Sequence, residues 1–195
     1  MDTKETQRMR EQSLTEQQID LVIGSLLGDE YLVKTTRGYS FRVNHGLSQK
    51  EYVNWKYNIL MNFVRTMPKA SGRCYYFRTI THSHFKFFRN CFYEGNSKRL
   101  SIDLVSQHLN PFILAVWIMD DGARDGNQLR INSQNFTREE NQWLREILRT
   151  KLGIETTLNR DKDRFRIRVK SESMNLLIAL VKQYFIPSML YKLSL

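Results

Sequence analysis

The sequence predicts an α+β fold that is built from two similar halves within one chain of 195 residues. Stretches with helical periodicity alternate with short stretches of period two, the pattern of half-buried strands. Short motifs recur at a fixed spacing of 88 residues. Two apolar helices, one in each half, both end in acidic residues. An internal duplication accounts for all three observations and predicts a pseudo-twofold molecule.

The composition indicates a globular protein that binds a polyanion. The chain is 41% hydrophobic and 26% charged, which is typical of a packed domain. Thirty basic and twenty acidic residues give a net charge of +10. This excess favours DNA or RNA as the partner, with an incidental basic surface as the alternative.

Several classes of protein are disfavoured by the sequence. Cys74 and Cys91 do not have the spacing of a metal site or of a disulfide framework. No apolar run approaches the length of a membrane span, and the N-terminus lacks the apolar core of a secretory signal. We therefore expect a soluble intracellular protein without a membrane partner, in an organelle matrix or in a bacterial cytoplasm.

The first half follows a polar N-terminal extension, residues 1–13, which we expect to be flexible. Ser13 and Glu16 form a predicted capping box at the start of a helix that ends near Gly28. The later elements of this half are strands over 31–33 and 39–45, a helix over 49–66, a strand over 73–80 and a helix over 82–93.

The second half repeats this order. Its predicted elements are a helix over 110–121, a turn over 122–127, a strand over 128–134, a helix over 137–152, strands near 154–159 and 164–170, and a helix over 171–185. Phe41-Arg-Val-Asn44 matches Leu129-Arg-Ile-Asn132, and Trp55 matches Trp143, both at a spacing of 88 residues. We therefore divide the chain into the extension 1–13, a first half 14–106 and a second half 107–195.

The two acid-ended helices are the main candidates for chemistry. Leu21-Val-Ile-Gly-Ser-Leu-Leu-Gly-Asp-Glu30 ends in Asp29, and Leu114-Ala-Val-Trp-Ile-Met-Asp-Asp-Gly122 ends in Asp121. A carboxylate at the C-terminal end of a helix faces the negative end of the helix dipole, which is unfavourable unless a cation is present. Carboxylates, water and phosphate oxygens suit Mg²⁺. Two surface helix ends are the alternative reading.

Further features accompany these acids in pairs. Gly24 and Gly28 lie four residues apart, a spacing that lets another backbone approach closely. Lys98 lies 69 residues after its acid and Lys192 lies 71 residues after the other. A lysine beside a scissile phosphate could stabilise the transition-state charge. Spacing alone does not distinguish this role from that of a plain surface lysine.

One face of the predicted sheets has the side chains of a nucleic-acid reader. In a strand, Arg164, Arg166, Arg168 and Lys170 share one face because side chains alternate. Gln128, Arg130 and Asn132 line a face of their own strand, and such side chains can contact base edges in the major groove. Four like charges in a row repel one another unless an anion covers them. A bland solvated sheet is the alternative.

The two motif helices resemble the paired motifs of the LAGLIDADG homing endonucleases. Trp117-Ile-Met-Asp-Asp-Gly122, Ile131-Asn-Ser-Gln-Asn-Phe-Thr137 and Tyr184-Phe-Ile-Pro-Ser-Met-Leu-Tyr-Lys-Leu193 most resemble the single-chain, two-motif subgroup. The resemblance extends over residues 14–193. It implies a monomer of two αββαββα halves with saddle-shaped antiparallel sheets, which would lie along a long asymmetric DNA site.

The resemblance also implies roles for individual residues. Asp29 and Asp121 would hold Mg²⁺, or another divalent ion such as Mn²⁺, with the backbone carbonyls of Gly28 and Asp120. Lys98, Lys192 and a water-positioning Gln134 would complete the catalytic set. The implied DNA-binding residues are Lys34, Arg37, Arg42, Asn44, Gln128, Arg130, Asn132, Arg164, Arg166, Arg168 and Lys170.

The activity that the resemblance implies is site-specific cleavage of double-stranded DNA, leaving short 3′ overhangs. An intron RNA maturase and a catalytically silent nucleic-acid-binding module are the rival readings, so intron RNA is a second candidate partner. One departure from the motif is Glu30, which replaces the terminal glycine of the first copy. We expect it to add negative charge beside Asp29.

Overall fold

The computed structural model describes residues 3–193. Its helices are α1 (Lys4–Glu11), α2 (Glu16–Leu27), α3 (Lys50–Leu60), α4 (Ser83–Phe92), α5 (Ile102–His108), α6 (Pro111–Asp121), α7 (Arg138–Leu152) and α8 (Met174–Val181). Its strands are β1 (Tyr31–Thr35), β2 (Gly38–Gly46), β3 (Lys69–Ser71), β4 (Cys74–Arg78), β5 (Tyr93–Glu94), β6 (Ser97–Lys98), β7 (Gly122–Asp125), β8 (Gln128–Ile131), β9 (Thr156–Asp161) and β10 (Arg164–Val169). The predicted α+β class is confirmed.

The described chain divides into two compact units. The first unit comprises Met1–Val22 and Glu30–Asn90, and the second comprises Ile23–Asp29 and Cys91–Leu195. The end of the first motif helix, with Asp29, therefore belongs to the same unit as the second motif helix. The division of the repeat into 14–106 and 107–195 stays a prediction, because repeat copies and packing units are different divisions of a chain.

The first unit contains a four-stranded antiparallel sheet in the order β1-β2-β4-β3. Phe41 and Val43 of β2 are completely buried, whereas Arg42 and Asn44 between them are partly exposed. This alternation separates a core face from an outer face, as the sequence predicted. Val43 pairs with Phe77 of β4 on the core face, where α3 packs.

The second unit contains a sheet of the same topology, in the order β7-β8-β10-β9. Leu129, Ile131 and Ile167 are completely buried on its core face. Helix α7 packs there, and its Thr137 and Glu140 form a capping box. Gly153 ends α7 in the left-handed conformation, with φ of 68°, which glycine adopts without a steric penalty.

The N-terminal extension contains a helix within the part of it that the structure describes, and its flexibility stays a prediction. Residues 4–11 form α1, whose first backbone amides are capped by the hydroxyl of Thr3. Thr6 is buried, and Arg10 Nε donates a 3.3 Å hydrogen bond to the carbonyl of Thr81. The sequence did not predict this helix, because it packs through polar side chains, Thr6 and Arg10, rather than through an apolar face. Met1 and Asp2 lie outside the described residues.

Other elements differ from the sequence prediction near their ends. The segment predicted as a turn, 122–127, contains β7, and α3 ends at Leu60 rather than near residue 66. Helix α8 is shorter than the predicted helix 171–185 because 3-10 turns flank it. Helix α5 was missed. It precedes α6 as α1 precedes α2, so each motif helix follows a short helix.

Among the described residues, no single helix has the length and apolarity needed to cross a membrane. Helices α5 and α6 pass that test together, by length and composition alone, with a bend of 120° between them.

Candidate functional site

The second unit is organised around α6, whose side chains from Phe112 to Met119 are all buried. Asn110 caps the helix, since its side-chain oxygen accepts a 2.9 Å hydrogen bond from the Ile113 amide. Pro111 stands at the first turn, where its missing N–H costs nothing. The helix ends at Gly122 and delivers Asp120 and Asp121 in a nearly buried position, 6% and 9% exposed.

The glycines of the first motif allow the two motif helices to approach closely. A Cβ atom at Gly24 would lie 2.8 Å from both the Ile113 carbonyl oxygen and the Val116 Cβ. A Cβ atom at Gly28 would lie 2.5 Å from the Asp120 Cβ. Each glycine therefore faces the residue at its own position in the other copy, a contact that a local twofold axis produces. The predicted role of these glycines is confirmed.

This approach brings the acids of the two copies together. Burial raises the pKa of Asp121 to about 8, and the charges of Asp29 and Asp120 add to this effect. A hydrogen bond with Asp29 raises the pKa further, while Lys98 lowers it. The carboxyl groups of Asp29 and Asp121 thus lie within hydrogen-bonding distance in a poorly solvated place. Their mutual repulsion is the kind that a cation relieves.

Each predicted catalytic lysine reaches the end of one motif helix. Lys98 Nζ donates a 2.6 Å hydrogen bond to the Gly28 carbonyl. Lys192 Nζ donates hydrogen bonds of 2.8 Å to the carbonyl of Asp120 and 2.5 Å to that of Met119. The carbonyls of Gly28 and Asp120 occupy equivalent positions in the two motifs, just before the acids. Both lysines thus place a positive charge at a helix C-terminus, where the dipole favours it.

The donor set fits a divalent metal ion. It combines the carboxylates of Asp29 and Asp121 with the carbonyls of Gly28 and Asp120, all hard oxygen ligands of the type that Mg²⁺ and Mn²⁺ accept. A carbonyl oxygen has two lone pairs, so a hydrogen bond from a lysine leaves it able to accept a second partner. Burial first, and then the charges of Asp29 and Asp120, raise the pKa of Asp121, and a bound cation would favour its ionised form.

Glu30 is buried in the first unit, and the expectation that it adds negative charge beside Asp29 stays a prediction. Its carboxylate lies in the core of the first unit, where Oε1 accepts a 2.5 Å hydrogen bond from Lys56 Nζ and lies 2.8 Å from His45 Nε2. Burial alone would raise the pKa of Glu30, but these two partners overcome that effect and lower it to about 2. The negative charge of Glu30 is therefore balanced within its own unit.

The side chain of Gln134 has its hydrogen-bond partner at Asp161 rather than at Asp29 or Asp121. Its side-chain Nε2 donates a 2.8 Å hydrogen bond to Asp161 Oδ2, near the β9–β10 turn. Its carbonyl accepts a hydrogen bond from Arg164 Nη1 at 3.0 Å. The side chain is thus part of the outer sheet face, and nothing in its contacts supports the water-positioning role. Asn132 lies next to the acid cluster, since its backbone N–H donates a 2.9 Å hydrogen bond to the backbone carbonyl of Asp121.

The predicted DNA-binding residues of the second unit share the outer face, but acids lie among them. Asp125 Oδ2 lies 3.0 Å from Arg168 Nη2 and 3.7 Å from Arg130 Nη1. Asp161 Oδ2 lies 3.3 Å from Arg166 Nη1. The repulsion expected within the arginine row is thus relieved by two carboxylates of the same sheet. Lys170 pairs with Glu155 and Glu172 at the edge of the face.

The outer face of the first unit is more purely cationic. Strands β1 to β4 contain no Asp or Glu. Arg42 places its guanidinium 4.7 Å from the ring centre of Tyr76, and Lys69 Nζ lies 5.8 Å from the same centre. Asn44 pairs with Tyr76 across the strands and shares this face. Among the predicted residues, Lys34 lies two residues after the buried Leu32 and therefore shares the core side of the sheet rather than the outer face. Arg37 lies in the β1–β2 turn.

Sequence reasoning missed several residues of these faces. Tyr76 and Arg78 of β4, and Asn159 of β9, carry polar or aromatic side chains onto the outer faces. The spacing of 88 residues, which relates Arg78 to Arg166, could have identified Arg78. Asp125 lies in the segment predicted as a turn, 122–127, and its arginine partners became evident only from the pairing of β7 with β8.

Comparison with known proteins places the chain in a family. The model of the "LAGLIDADG DNA endonuclease family" matches residues 19–177. The chain is 32% identical to the cytochrome b mRNA maturase bI2 of Debaryomyces hansenii, over 93% of this chain and 75% of that protein. It is 29% identical to the DNA endonuclease I-ChuI of Chlamydomonas applanata, over 93% of this chain and 96% of that protein.

A solved structure shows the same fold. The homing endonuclease I-WcaI bound to its DNA recognition sequence superposes with a TM-score of 0.91 at 25% identity, covering 98% of this chain and 93% of that one. Its resemblance extends to both motif helices and both sheets, since it covers nearly all of each chain. The family model covers most of the chain as well. The chain therefore belongs to the LAGLIDADG DNA endonuclease family.

Proposed function

We propose that this protein is a homing endonuclease that cuts double-stranded DNA at one long, asymmetric site, using divalent metal ions. The observation that carries this proposal is the meeting of Asp29 and Asp121 at the ends of two motif helices, each accompanied by a lysine. A DNA-binding protein without catalysis needs neither acid there, because carboxylates oppose phosphate binding. Mg²⁺ is the proposed ion, and Mn²⁺ is an acceptable substitute.

The residues of the site suggest a division of roles. Asp29 and Asp121 would hold the metal with the carbonyls of Gly28 and Asp120. A divalent ion held by these residues would supply activation of a water nucleophile and stabilisation of the 3′ oxygen as its bond to phosphorus breaks. Lys98 and Lys192 add positive charge beside the scissile phosphates, where negative charge grows in the transition state. One acid and one lysine would serve each strand, and the product would carry short 3′ overhangs.

The outer sheet faces supply the site specificity in this proposal. Arginine, asparagine and glutamine side chains can each make bidentate contacts to base edges in the major groove, into which a β-ribbon fits. The two faces carry different side chains, so they suit a target whose halves differ in sequence. The protein would bind this target as a monomer, since one chain holds both motif copies.

The test is cleavage of a randomised DNA duplex library, followed by sequencing of the cut ends. With Mg²⁺ the wild-type protein should enrich one target and leave short 3′ overhangs. Chelation of the metal should abolish cleavage, and so should the double variant Asp29→Asn/Asp121→Asn. The variant Asp103→Asn, an exposed acid on α5, is the matched control and should cut normally. DNA binding by the wild type without any cut product would contradict the proposed nuclease activity and favour a binding module without catalysis.

A second candidate function is that of an intron RNA maturase. The observation in its favour is the 32% identity to a protein named as an mRNA maturase. A competition experiment distinguishes the two: structured intron RNA should displace the cleaved DNA target only at a large excess if DNA is the main substrate. Stronger binding of the RNA, with promotion of its splicing, would favour the maturase. Either activity requires nucleic acid inside the cell, so we also propose an intracellular location.

A further inference from the structure

We propose that the first unit contains a phosphate-binding pocket, formed by α1 and the outer face of the sheet, which holds one backbone phosphate of bound DNA. This inference deepens the proposed function because it adds a contact outside the strands that read bases. It depends on DNA being the partner, but not on cleavage. The N-terminal helix, which the sequence suggested was a loose extension, becomes a working part of the DNA interface.

The pocket is a cavity of about 530 Å³ that lies within the first unit. Its floor is the outer face of the sheet, with Ser40 and Arg42 of β2 and Arg78 at the end of β4. One wall is the last turn of α1, with Arg10. The opposite wall is the segment after α3, with Arg65. The hydrogen bond from Arg10 to the Thr81 carbonyl fixes α1 in this position.

The charges that line the cavity all have the same sign. Five lining residues are basic and none is acidic; the basic ones are Arg10, Arg42, Arg65, Lys69 and Arg78. Arg10 and Arg42 are partly buried and the other three are exposed, and like charges held around one cavity repel one another unless an anion joins them. Guanidinium groups offer paired N–H donors that match the oxygens of a phosphate. The lining therefore favours an anion with several acceptor oxygens over a neutral or cationic ligand.

A buried hydroxyl in the pocket lacks a partner. Ser40 is 1% exposed, and its Oγ has no hydrogen-bond partner within the described residues. Its neighbour Thr79, also in the lining, uses its hydroxyl to accept from the Phe41 amide and to donate to the Ile80 carbonyl. A buried hydroxyl without a hydrogen-bond partner is unfavourable. A phosphate oxygen would accept from Ser40 and remove this cost.

The position of the pocket favours DNA as the source of the phosphate. Arg42 and Tyr76 belong both to the pocket and to the outer face that is proposed to lie along the duplex. A backbone that follows this face therefore reaches the pocket without leaving the protein surface. The cavity is also larger than a lone phosphate requires, and its volume lies in the range that holds a ligand of nucleotide size.

On the outer face of the second unit, acids lie among the arginines. There Arg166 and Arg168 are paired with Asp161 and Asp125. In the first unit, no acid lies in the strands that form the pocket floor. The pocket is therefore expected to be the point on the outer faces where one phosphate is held most strongly.

The test is the salt dependence of binding to a random-sequence DNA duplex, measured with the metal chelated so that no cleavage occurs. Two variants remove parts of the pocket, Arg65→Gln and Ser40→Ala. The matched control is Arg8→Gln, which removes the same charge from an exposed position of α1 outside the pocket. Thermal unfolding of all three variants checks that they are folded.

Loss of one phosphate contact lowers the slope of log K against log salt by about 0.9. Arg65→Gln should show this decrease, with an affinity roughly tenfold below that of Arg8→Gln at moderate salt. Ser40→Ala should weaken binding without changing the slope, because it removes no charge. Because binding is measured without metal, these results do not depend on whether the protein cuts DNA.

Three outcomes would overturn the inference. Arg65→Gln and Ser40→Ala could bind DNA as tightly as Arg8→Gln, in which case the pocket holds no phosphate. Calorimetry could show that inorganic phosphate binds the free protein with micromolar affinity, while the variants bind DNA as the wild type does. That result would indicate a small-molecule site. The two pocket variants could lose more affinity for single-stranded RNA than for duplex DNA, which would assign the pocket to RNA.

Discussion

The first copy of the repeat buries a charged cluster where the second copy buries neutral groups. Glu30 is paired with Lys56 and His45 in the first unit. At the equivalent positions the second copy has Gly122, Leu144 and Ser133. There Asn141 donates to three carbonyls and accepts from the Ser133 hydroxyl at 2.5 Å. The same arrangement of strands and helix therefore tolerates either solution, because in both copies the buried polar side chains have hydrogen-bond partners within their own cluster.

The outer sheet faces differ in a similar way. Arginine and lysine lie over Tyr76 in the first unit, whereas aspartates pair with arginines in the second. The motif helices do not differ in this respect, since each copy brings one acid and one lysine to the same place. The chemistry at the ends of the motif helices therefore needs one acid and one lysine from each copy. The surrounding surfaces are free to diverge, and their divergence suits a target of asymmetric sequence.

The largest expected effect concerns the charged core of the first copy. Lys56→Met should lower the free energy of unfolding by about 3–5 kcal/mol, because it leaves Glu30 buried without its main partner. Denaturation in urea measures this loss. The control is Leu144→Met at the equivalent position of the second copy, which should cost less than about 1.5 kcal/mol.

A second variant makes that prediction sharper. The double variant Glu30→Gln/Lys56→Met removes both charges and should be more stable than Lys56→Met alone. If the double variant were less stable than the single one, the ion pair would not be the reason for the loss.

The next effect is a pH dependence that Asp121 should cause in the metal-free protein. Its pKa is raised from 3.8 to about 8 by burial and by the neighbouring acids, so the folded state binds more protons than the unfolded state between these values. Stability must therefore fall as the pH rises through this window. The fall is about 1.4 kcal/mol for each pH unit within the window, and Asp121→Asn should remove most of it, as measured by denaturation with the metal chelated.

The exposed acid Asp103 provides the control for this prediction. Asp103→Asn should follow the wild-type pH curve, and saturating Mg²⁺ should flatten the wild-type curve because the bound ion favours the ionised carboxylate. Parallel curves for the wild type and Asp121→Asn would show that this carboxyl group is not perturbed.

A smaller effect should come from the contact between the two motif helices. Gly24→Ala should destabilise the protein by about 1–3 kcal/mol, since the added methyl group meets a backbone carbonyl that cannot move aside. Gly46→Ala, where the nearest atom is 3.8 Å from the added Cβ, is the control. If Gly24→Ala gained the stability that alanine normally brings to a helix, the close approach would be wrong.

The smallest effect distinguishes the two outer faces. Asp125→Asn should raise DNA affinity threefold to tenfold, because it releases Arg168 and Arg130 for phosphate or base contacts. Asp103→Asn removes the same charge away from the sheets and should change affinity less. Equilibrium binding without metal measures both variants. Weaker binding by Asp125→Asn would mean that Asp125 positions these arginines for the DNA rather than competing with it.

The sequence was sufficient for the features that depend on periodicity and repetition. The alternation of Phe41 and Arg42 predicted the two sheet faces, and the spacing of the motifs predicted that Asp29 and Asp121 are partners. The glycine spacing in the first motif predicted the close helix contact. These features follow from local rules, since side-chain direction is fixed by the secondary structure.

The features that the sequence did not predict depend on tertiary partners. Helix α1 is polar all round, so its packing through Thr6 and Arg10 left no periodic apolar signal. The pairing of Glu30 with Lys56 was not predicted, because a linear motif does not show that Lys56 Nζ lies 2.5 Å from Glu30 Oε1 in the folded core. Gln134 was assigned by family pattern, and its contact with Asp161 depends on the curvature and pairing of β10 and β9.

The most direct test of the account is strand-resolved cleavage of the selected DNA target by Asp29→Asn and Asp121→Asn. Because each acid is proposed to serve one strand, each variant should lose double-strand cleavage by about a thousandfold. Any residual product should be a nick. The strand that Asp29→Asn cuts should be the strand that Asp121→Asn leaves intact. Asp103→Asn should cut both strands as the wild type does. Double-strand cleavage at the wild-type rate by either acid variant would contradict the central claim.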